Sequence, residues 1–422
     1  MKTILQSYRT EMQCELEAIL SYWMKNTVDE KNGGFIGQID HNNTVISEAP
    51  KGAVLNARIL WSFSAAYNLT GNVDYLQHAK RAFEYICDHF IDKKNRGVYW
   101  TVDCKGDPLE TKKQVYAQAF TIYAFSEYYK ATKESSAIIE AIELYDAINK
   151  YSYDTVNGGY TEAFTREWQA MDDLRLSDKD ANEKKSMNTH LHLLEAFTSL
   201  YKIWRYEPVK NKITELVRYF LQHIIDPVTH HQYLFFDEKW QPRSSTISYG
   251  HDIETAWLLQ EAAEVTGDKE LIEQTKHMAV CMSDAVMKGM DSDGGLWYEY
   301  EIASEHLIKE KHMWPQAEAM VGYFNAYQNT QDRSYLDISL ASWQFVQEHI
   351  QDKENGEWFW GVGMQLQLRT DWGVGTRLET CTYTPMKKDK VGIWKCPYHN
   401  SRACIEIIKR INHLEKNNTH EA

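Results

Sequence analysis

The sequence predicts an all-α fold, an (α/α)6 barrel of six helix hairpins in a single domain spanning residues 1–422. Three observations carry this prediction. A glycine-containing turn recurs six times along the chain, paired helical patterns lie between the turns, and the start of each first helix carries polar or aromatic residues in a common register. Six such hairpins closed into a ring surround one central pocket, with short strand-like turns between them.

The repeated turn is an aspartate, a few polar residues, glycine, and then aromatic or β-branched residues. Its copies begin at Asp29, Asp92, Asp154, Asp226, Asp291 and Asp352. A period of roughly 60 to 70 residues is too long for a tetratricopeptide or ankyrin unit and fits two helices plus a turn. The fourth copy is degenerate, because residues 229–232 (Thr-His-His-Gln) contain no glycine.

Each unit contains two helical patterns separated by a short break. In the first unit we expect helices over residues 57–67 and 73–90, with Gly71 as the C-cap between them. Similar breaks at residues 266–268 and 330–332 align the later units, and a sixth first helix is expected to start near Tyr398.

The aligned first helices place chemically active residues in their opening turns. One column contains Arg58, Phe120, His192, Glu254 and Glu318. A second column, two positions earlier in each helix, contains Asn56, Gln118, His190, Asp252 and Gln316. A third column, two positions earlier again, contains Val54, Tyr116, Asn188, Gly250 and Trp314. Helix capping explains Asn and Asp there, but a cation meets the helix dipole unfavourably. We therefore predict a functional ring where the six helix starts converge.

One stretch, residues 361–390, has no helical period. Residues 365–370 and 376–383 alternate around residues 371–375 (Asp-Trp-Gly-Val-Gly), which predicts a hairpin or long loop. Long connections in compact domains are commonly functional. Our hypothesis is a flap beside the pocket.

Composition narrows the partners. A net charge of −14 argues against binding to nucleic acid. The sequence contains no run of 18 apolar residues, so we expect no membrane span. Seven cysteines without a Cys-x-x-Cys pair indicate reduced thiols and a cytoplasmic protein. Most of the 26 Tyr, 14 Trp and 14 Phe are expected in the core, with two or three Trp left to contact a ligand. We expect a monomer or weak homodimer acting on a small molecule.

Three histidines in the helix starts are the candidates for chemistry: His192, His251 and His399. Metal binding is one interpretation, but His190 and His192 point in different directions, and neither a His-Glu-x-x-His motif nor a cysteine cluster is present. General acid/base chemistry is the other, because imidazole exchanges protons near neutral pH. Arg58 could then stabilise a developing oxyanion, and Glu254, one turn from His251, could orient that imidazole.

Four segments resemble the cellobiose 2-epimerases of the N-acylglucosamine 2-epimerase superfamily. They are residues 187–193 (Met-Asn-Thr-His-Leu-His-Leu), 248–254 (Ser-Tyr-Gly-His-Asp-Ile-Glu), 314–319 (Trp-Pro-Gln-Ala-Glu-Ala) and 394–400 (Trp-Lys-Cys-Pro-Tyr-His-Asn). Residues 54–61 and 116–120 match as well, so the resemblance covers nearly the whole chain. It implies the same (α/α)6 barrel as the repeats do.

The resemblance also implies roles for individual residues. His251 and His399 would be the acid/base pair at C2 of the reducing-end sugar, after ring opening and through a cis-enediolate. His192 and Arg58 would lie near O1 and the enediolate. The resemblance assigns the substrate-binding residues as Tyr116, Asn188, Glu254, Trp314, Trp394 and Glu318. No cofactor and no metal is implied.

Alternatives remain open at this point. The substrate could be a β-1,4-linked disaccharide (cellobiose, lactose, mannobiose) or free glucose and mannose, because residues 361–390 form a longer connection than the family pattern. The same histidines would serve an aldose–ketose isomerase. Asp252, Glu254 and Glu318 could supply the carboxylates of a glycoside hydrolase. A non-catalytic scaffold would leave the histidines without a role.

Overall fold

The computed structural model describes residues 2–369 and 378–420, and this part of the chain is mostly helical, with twelve α-helices in pairs. The first helices of the units are α2 (Ala53–Thr70), α4 (Val115–Thr132), α6 (Met187–Ile203), α8 (Tyr249–Thr266), α10 (Met313–Thr330) and α12 (Tyr398–His420). The others are α1 (Lys2–Asn26), α3 (Val73–Tyr85), α5 (Ser135–Tyr151), α7 (Glu207–Tyr219), α9 (Lys269–Val286) and α11 (Arg333–Phe345).

The six first helices form a closed inner ring. Helix α2 packs against α4, α4 against α6, α6 against α8, α8 against α10, α10 against α12, and α12 against α2. Helices α2, α4, α6, α8 and α10 are buried on all sides over most of their length, as expected for helices packed between neighbours. In α2, for example, every residue from Ala53 to Ala66 is buried. The ring gives the chain the arrangement predicted from the repeats.

The remaining helices form an outer layer, each against an inner helix. Helix α3 packs on α2, α5 on α4, α7 on α6, α9 on α8, α11 on α10, and α1 on α12. The predicted break after α2 is confirmed: Gly71 adopts φ 72° and its N–H donates to the Tyr67 carbonyl. Asn72 then caps α3 by accepting from the Asp74 N–H. Helix α2 begins at Ala53, four residues before the predicted start.

Short strands and turns connect the outer helix of one unit to the inner helix of the next. The strands are β1 (Lys51–Gly52), β2 (Thr101–Val102), β3 (Pro108–Glu110), β4 (Lys113–Gln114), β5 (Ala163–Phe164), β6 (Lys185–Ser186), β7 (Phe235–Phe236), β8 (Thr246–Ser248), β9 (Glu299–Glu301), β10 (His306–Ile308), β11 (Glu310–His312), β12 (Gly361–Arg369) and β13 (Leu378–Pro385). The repeated aspartates close the turns through backbone N–H groups. Asp92 Oδ1, for example, accepts from the N–H groups of Lys94 and Asn95 at 3.1 and 3.2 Å.

A buried lysine neutralises most of these aspartates. The pairs are Lys51 with Asp29, Lys113 with Asp92, Lys185 with Asp154, Lys311 with Asp291 and Lys390 with Asp352. In the first three units and the fifth, this lysine comes directly before the N-cap of the inner helix. In the degenerate fourth unit, Ile247 occupies that position. There Asp226 accepts instead from the Tyr233 hydroxyl.

The middle register column does not face the pocket, which corrects part of the predicted ring. Gln118 accepts from the Val98 N–H at 2.6 Å, and Gln316 accepts from the Leu296 N–H at 2.7 Å. Asp252 clamps the fourth turn in the same way, through the N–H of Gln232 at 2.9 Å. These side chains hold each turn to its inner helix, because the buried turn N–H needs an acceptor.

The predicted hairpin near residues 361–390 is present as β12 and β13, paired in register from Val362 with Pro385 to Arg369 with Leu378. Its predicted tip, residues 371–375, lies outside the described residues. Strand β12 also pairs with β11, which runs directly into α10. In the described ranges, no helix has the length and apolarity that crossing a bilayer requires.

Candidate active site

The register column that contains Arg58 and the column that contains Tyr116 converge on a buried polar cluster at the N-terminal end of the inner ring. Arg58 on α2 is 3% exposed and donates from Nη2 to the Tyr116 hydroxyl at 2.8 Å. Its guanidinium carbon lies 4.2 Å from the centre of the Phe120 ring. Its Nε atom is buried without a hydrogen-bond partner. One donor of Arg58 is therefore left for a ligand.

His192 lies beside Tyr116 and Phe120, and a carboxylate on the same helix orients its ring. Its Nδ1 atom is 3.1 Å from Glu195 Oε2, one turn further along α6. Its ring contacts Tyr116 edge-on, with centroids 4.9 Å apart, and Phe120 at 4.5 Å. An ionised carboxylate only accepts hydrogen bonds, so Nδ1 carries the proton and Nε2 keeps its lone pair.

His399, the second residue of α12, has the same type of partner. Its Nδ1 atom is 2.7 Å from Glu318 Oε1 on α10. The second oxygen of Glu318 accepts from the Trp257 indole N–H at 3.1 Å. Glu318 thus contacts the imidazole and protein donors with both oxygens, and its contacts fit orientation of His399 better than the substrate binding predicted for it.

His251 has a weaker partner. Its Nδ1 atom is 2.8 Å from the hydroxyl oxygen of Ser248, which precedes α8. Glu254 was predicted to orient this ring, and the structure corrects that prediction, because Glu254 Oε1 accepts from Arg402 instead. The opposite charge of a buried guanidinium outcompetes a neutral imidazole for the carboxylate.

Trp314 brings the two histidines into one site. The centre of its ring system is 4.7 Å from that of His251 and 5.6 Å from that of His399. Trp314 is half-buried, so part of its face remains open. Aromatic faces of this kind can stack on the C–H faces of sugars, which is the role that the sequence predicts for Trp314.

Trp394 and Asn188 complete the predicted set at the edge of the site. Trp394 contacts Tyr116 edge-on at 5.9 Å and Trp100 at 5.8 Å. Asn188 lies one turn before His192 on α6, a spacing that places both on one helix face. Its Oδ1 atom is buried without a partner, which leaves an acceptor for a ligand hydroxyl.

Arg402 lies next to the carboxylates that contact His192 and His399, and it connects them. It is 1% exposed and donates through Nη1 to Glu195 Oε1 and the Tyr398 hydroxyl, and through Nη2 to Glu254 Oε1 and, at 2.7 Å, to Glu318 Oε1. It stands in the sixth unit at the register of Arg58, His192, Glu254 and Glu318. The register column identified from the first five units would have found it if extended to α12.

Burial and charge shift the proton affinities of the cluster. Burial lowers the pKa of His251 to about 3, and burial with the charges of Arg58 and Arg402 lowers the pKa of His399 well below its usual value. Both imidazoles are therefore neutral at neutral pH and can accept protons. Despite burial, Arg402 and the hydrogen bond from His192 lower the pKa of Glu195 to about 2.

Glu254 behaves differently from Glu195. Burial and the nearby charge of Glu318 raise its pKa to about 7, so it is partly protonated at neutral pH. One oxygen of Glu254, one of Glu318 and one ring nitrogen of His399 lie within 4.8 Å of one another. These are possible metal ligands, but the Arg402 guanidinium already contacts both carboxylates and supplies the positive charge there.

Sequence reasoning missed four members of the site: Glu195, Trp257, Tyr398 and Arg402. Glu195 is signalled by its i, i+3 spacing from His192 on one helix. Trp257 has no comparable signal, because its contact with Glu318 crosses from α8 to α10 and an indole in an inner helix is also typical of the core.

Comparisons with known proteins identify the family of this chain. The profile of the N-acylglucosamine 2-epimerase (GlcNAc 2-epimerase) family matches residues 34–372. A cellobiose 2-epimerase from Bacteroides fragilis is 44% identical over 401 residues, which cover 95% of this chain and 98% of the relative. The solved cellobiose 2-epimerase from Bacillus thermoamylovorans B4167 is 36% identical, with a TM-score of 0.86 over 97% of this chain and 100% of that one.

A more distant solved structure, a D-mannose isomerase, shares the fold with a TM-score of 0.78 at 20% identity, over 95% of this chain and 97% of that one. The identities above 30% extend over almost the full length of the chain. The chain therefore belongs to the N-acylglucosamine 2-epimerase family, as a carbohydrate 2-epimerase of the cellobiose 2-epimerase type.

Proposed function

We propose that this enzyme inverts C2 of the reducing-end glucose or mannose unit of a β-1,4-linked disaccharide such as cellobiose, lactose or mannobiose. The observation that carries the proposal is the pair His251 and His399, which contact one indole, Trp314, and have their Nδ1 atoms engaged by protein groups. Each imidazole then has Nε2 left for the substrate. Two proton-transfer groups at one carbon are what an inversion requires.

Ring opening comes first, because the proton at C2 becomes acidic only beside a free aldehyde. It requires a proton to leave the O1 hydroxyl and another to reach the ring oxygen. His192, held by Glu195, has an Nε2 lone pair for this transfer. Arg58, with its free Nε donor, can stabilise negative charge on the substrate oxygens.

Proton transfer at C2 follows in two halves. A neutral imidazole removes the C2 proton, the electron pair of the broken C–H bond forms a C1–C2 double bond, and the π pair of the C1 carbonyl moves to O1, which gives a cis-enediolate. After rotation about C2–C3, the second imidazole, which is neutral at rest and must first gain a proton, delivers that proton to the other face of C2, and the aldehyde reforms. Glu254, partly protonated and close to His399, can resupply that imidazole with a proton.

The preference for a disaccharide rests on the relatives and on the aromatic edge of the site. The relatives at 44% and 36% identity are cellobiose 2-epimerases. Trp394, half-buried against Tyr116 and Trp100, continues the aromatic surface beyond the histidines. A second sugar unit would find stacking surface there.

Glycoside hydrolysis fits the geometry poorly. Asp252, one of its candidate carboxylates, is occupied by the N–H of Gln232 and by His231 in the fourth turn. Glu254 and Glu318 both accept from the same guanidinium nitrogen of Arg402 and do not flank an open space as an acid and a base must.

Proton NMR of the purified enzyme in D2O, with cellobiose and separately with mannose, tests the proposal. We expect conversion of cellobiose to its 2-epimer with deuterium at C2, faster than any conversion of mannose. A ketose product would indicate an aldose–ketose isomerase, free glucose from cellobiose would indicate a hydrolase, and faster turnover of mannose would indicate a monosaccharide epimerase.

Two variants test the roles of the histidines in the same assay. His251→Ala and His399→Ala should each lose about 10²- to 10⁴-fold in turnover, because each removes a proton-transfer group. His306→Ala, an exposed histidine on β10, is the matched control and should retain wild-type turnover. Wild-type activity in either of the first two variants contradicts the two-base mechanism.

A further inference from the structure

Arg402 contacts the carboxylate partners of two different histidines. Its Nη1 donates to Glu195, which holds His192, and its Nη2 donates to Glu318, which holds His399. A continuous set of contacts therefore runs from one imidazole to the other through a single guanidinium. The face of Arg402 also lies over the rings of Tyr398 at 4.3 Å and Trp257 at 5.0 Å, which fixes its plane.

The charge of Arg402 has a consequence for both imidazoles. Glu195 and Glu318 are 4% and 1% exposed, and burying a carboxylate favours its protonated form. A protonated carboxyl can donate to Nδ1 and would place the ring proton on Nε2, the atom that must accept a proton from the substrate. An ionised carboxylate accepts from Nδ1–H and leaves Nε2 free. The guanidinium favours the ionised form of both.

We propose that Arg402 is a positioning residue that sets the tautomer of both His192 and His399, and so supports ring opening and C2 proton transfer together. This inference rests on the proposed function, in which the two histidines serve those two steps. Both Nη nitrogens of Arg402 are taken by the carboxylates and Tyr398, so we assign them no contact with the sugar; its Nε is buried without a hydrogen-bond partner. Its effect on the reaction passes through Glu195 and Glu318.

A purely structural role would look different. Arg410, two turns further along α12, also lies near Trp257, at 5.7 Å, but donates to the side-chain oxygens of Asn325 and Gln328. Both of those groups are neutral amides. Arg410 thus contributes to the helix contacts without reaching a histidine partner, which makes it a matched control.

The first test uses the unmodified protein. Long-range ¹H–¹⁵N NMR of the ¹⁵N-histidine-labelled enzyme at pH 7, with signals assigned by His192→Gln and His399→Gln, reports which ring nitrogen carries the proton. We expect the Nδ1–H tautomer for both histidines. The Nε2–H tautomer at either one overturns the proposal. The spectrum does not depend on turnover, so it remains decisive if the epimerase activity itself is not found.

The second test uses variants at position 402. Arg402→Lys keeps the charge but cannot contact all four oxygens, and we expect kcat to fall about 10- to 100-fold with KM changed little, the size of effect typical when an orienting partner is lost. Arg402→Met should fall further and shift its histidines towards the Nε2–H tautomer. Arg410→Met should leave kcat and both tautomers unchanged. Melting temperatures show which variants are folded.

A comparison of steps separates the shared role from a local one. Ring opening is measured as catalysed mutarotation of cellobiose, and C2 transfer as deuterium incorporation. We expect Arg402→Lys to slow both, Glu195→Gln to slow mainly mutarotation, and Glu318→Gln to slow mainly deuterium incorporation. An Arg402→Lys enzyme impaired in only one step, or in neither, overturns the proposal. If Arg402→Lys does not fold, the tautomers of the unmodified protein decide.

Discussion

Glu318 and Ser248 hold the two proposed acid/base histidines with different chemistry. Glu318 offers His399 a carboxylate at 2.7 Å, and Ser248 offers His251 a hydroxyl at 2.8 Å. A carboxylate stabilises the imidazolium that forms when the histidine accepts a proton, and a hydroxyl does so much less. The two histidines should therefore depend unequally on their partners.

Replacing the partners should expose this difference. Glu318→Gln should lower kcat about 10- to 100-fold, because an amide neither stabilises imidazolium nor enforces the Nδ1–H tautomer. Ser248→Ala should have the smaller effect. Steady-state epimerisation of cellobiose measures both. Glu15→Gln, which changes a half-buried carboxyl that accepts from the Trp358 indole N–H, is the control and should keep its kcat. A larger loss in Ser248→Ala than in Glu318→Gln would contradict this assignment.

At the scale of the element, four of the repeated turns are held by a side-chain clamp from the start of an inner helix, and the clamping residues differ in chemistry: Gln118, His190, Asp252 and Gln316. His190 accepts from the Tyr160 N–H through Nε2 at 2.9 Å and donates from Nδ1 to the Ser186 carbonyl at 2.7 Å. Gln118 makes the same two kinds of contact with the Val98 N–H and the Gln114 carbonyl. Of these two clamps, only His190 can gain a proton.

This difference predicts a pH dependence of stability. Burial lowers the pKa of His190 to about 4 from its usual 6.5, so below pH 6.5 the unfolded chain binds a proton that the folded chain does not. The stability that His190 contributes is complete above pH 6.5 and is lost as the pH falls towards 4. His190→Gln should be close to wild type in urea unfolding at pH 7.5 and should lose less stability than wild type at pH 5.

The reverse substitution provides the control. Gln118→His should add to the loss of stability between pH 7.5 and 5, because it introduces a buried imidazole at an equivalent position. If His190→Gln loses as much stability as wild type over that range, the acid sensitivity must originate at other buried groups, His251 and His399 among them.

The buried lysines of the turns form a second element-scale device. Lys51 is 1% exposed and donates to Asp29 Oδ2 and to the Gly33 carbonyl, each at 2.8 Å. Lys51→Met should lower the free energy of unfolding by about 3–5 kcal/mol, because it leaves a buried carboxylate without its cation. Lys51→Met/Asp29→Asn should recover part of the loss. Guanidinium unfolding of the two variants measures the difference.

An exposed pair calibrates this measurement. Lys80 and Glu84 are 3.7 Å apart with side chains 63% and 59% exposed. Lys80→Met should change stability by less than about 1 kcal/mol, as surface pairs generally do. The fourth turn shows that the lysine is replaceable in principle, since Asp226 there accepts from a tyrosine hydroxyl. Equal effects of Lys51→Met and Lys80→Met would show that the turn lysine contributes no more than a surface charge.

The sequence was informative about these elements wherever a local pattern encodes the structure. Turn spacing, helix breaks and the polar helix starts predicted six helix pairs, because each depends on residues close together in the chain. The sequence did not predict which columns of the helix starts face the pocket and which face the turns. Residues two positions apart point in different directions, but the sequence does not show which direction leads to the pocket. The contact of Trp257 with Glu318 joins two helices, and no local pattern signals it.

At the scale of the whole molecule, closure of the ring decides what the site contains. Arg402 belongs to the last inner helix, and its carboxylate partners Glu195, Glu254 and Glu318 come from α6, α8 and α10. Helix α12 is also the one that packs on α2 and so closes the ring. The buried charge network is therefore complete only in the closed barrel, which links the chemistry of the site to formation of the fold.

The hairpin of β12 and β13 adds a feature outside the sixfold pattern. Strand β12 pairs with β11 from Gly361 with His312 to Gly363 with Glu310, and His312 is the N-cap of α10. Trp314 follows two residues later. The base of the hairpin is thus tied to the helix start that carries the aromatic contact of both acid/base histidines. A connection in this position can affect how a second sugar unit enters.

Shortening the hairpin tests whether it contributes to the preference for disaccharides. Replacing residues 366–381 with Asn-Gly would connect Gln365 to Thr382 by a two-residue turn. These two residues already pair with each other in the hairpin. We expect a several-fold rise in KM for cellobiose, with little change in KM or kcat for mannose, because the proposed mechanism places the reducing-end unit at the histidines and not at the hairpin. Steady-state kinetics with both sugars and a melting temperature measure this. A parallel change for both sugars would mean that the hairpin supports α10, and no change for either would remove it from substrate selection.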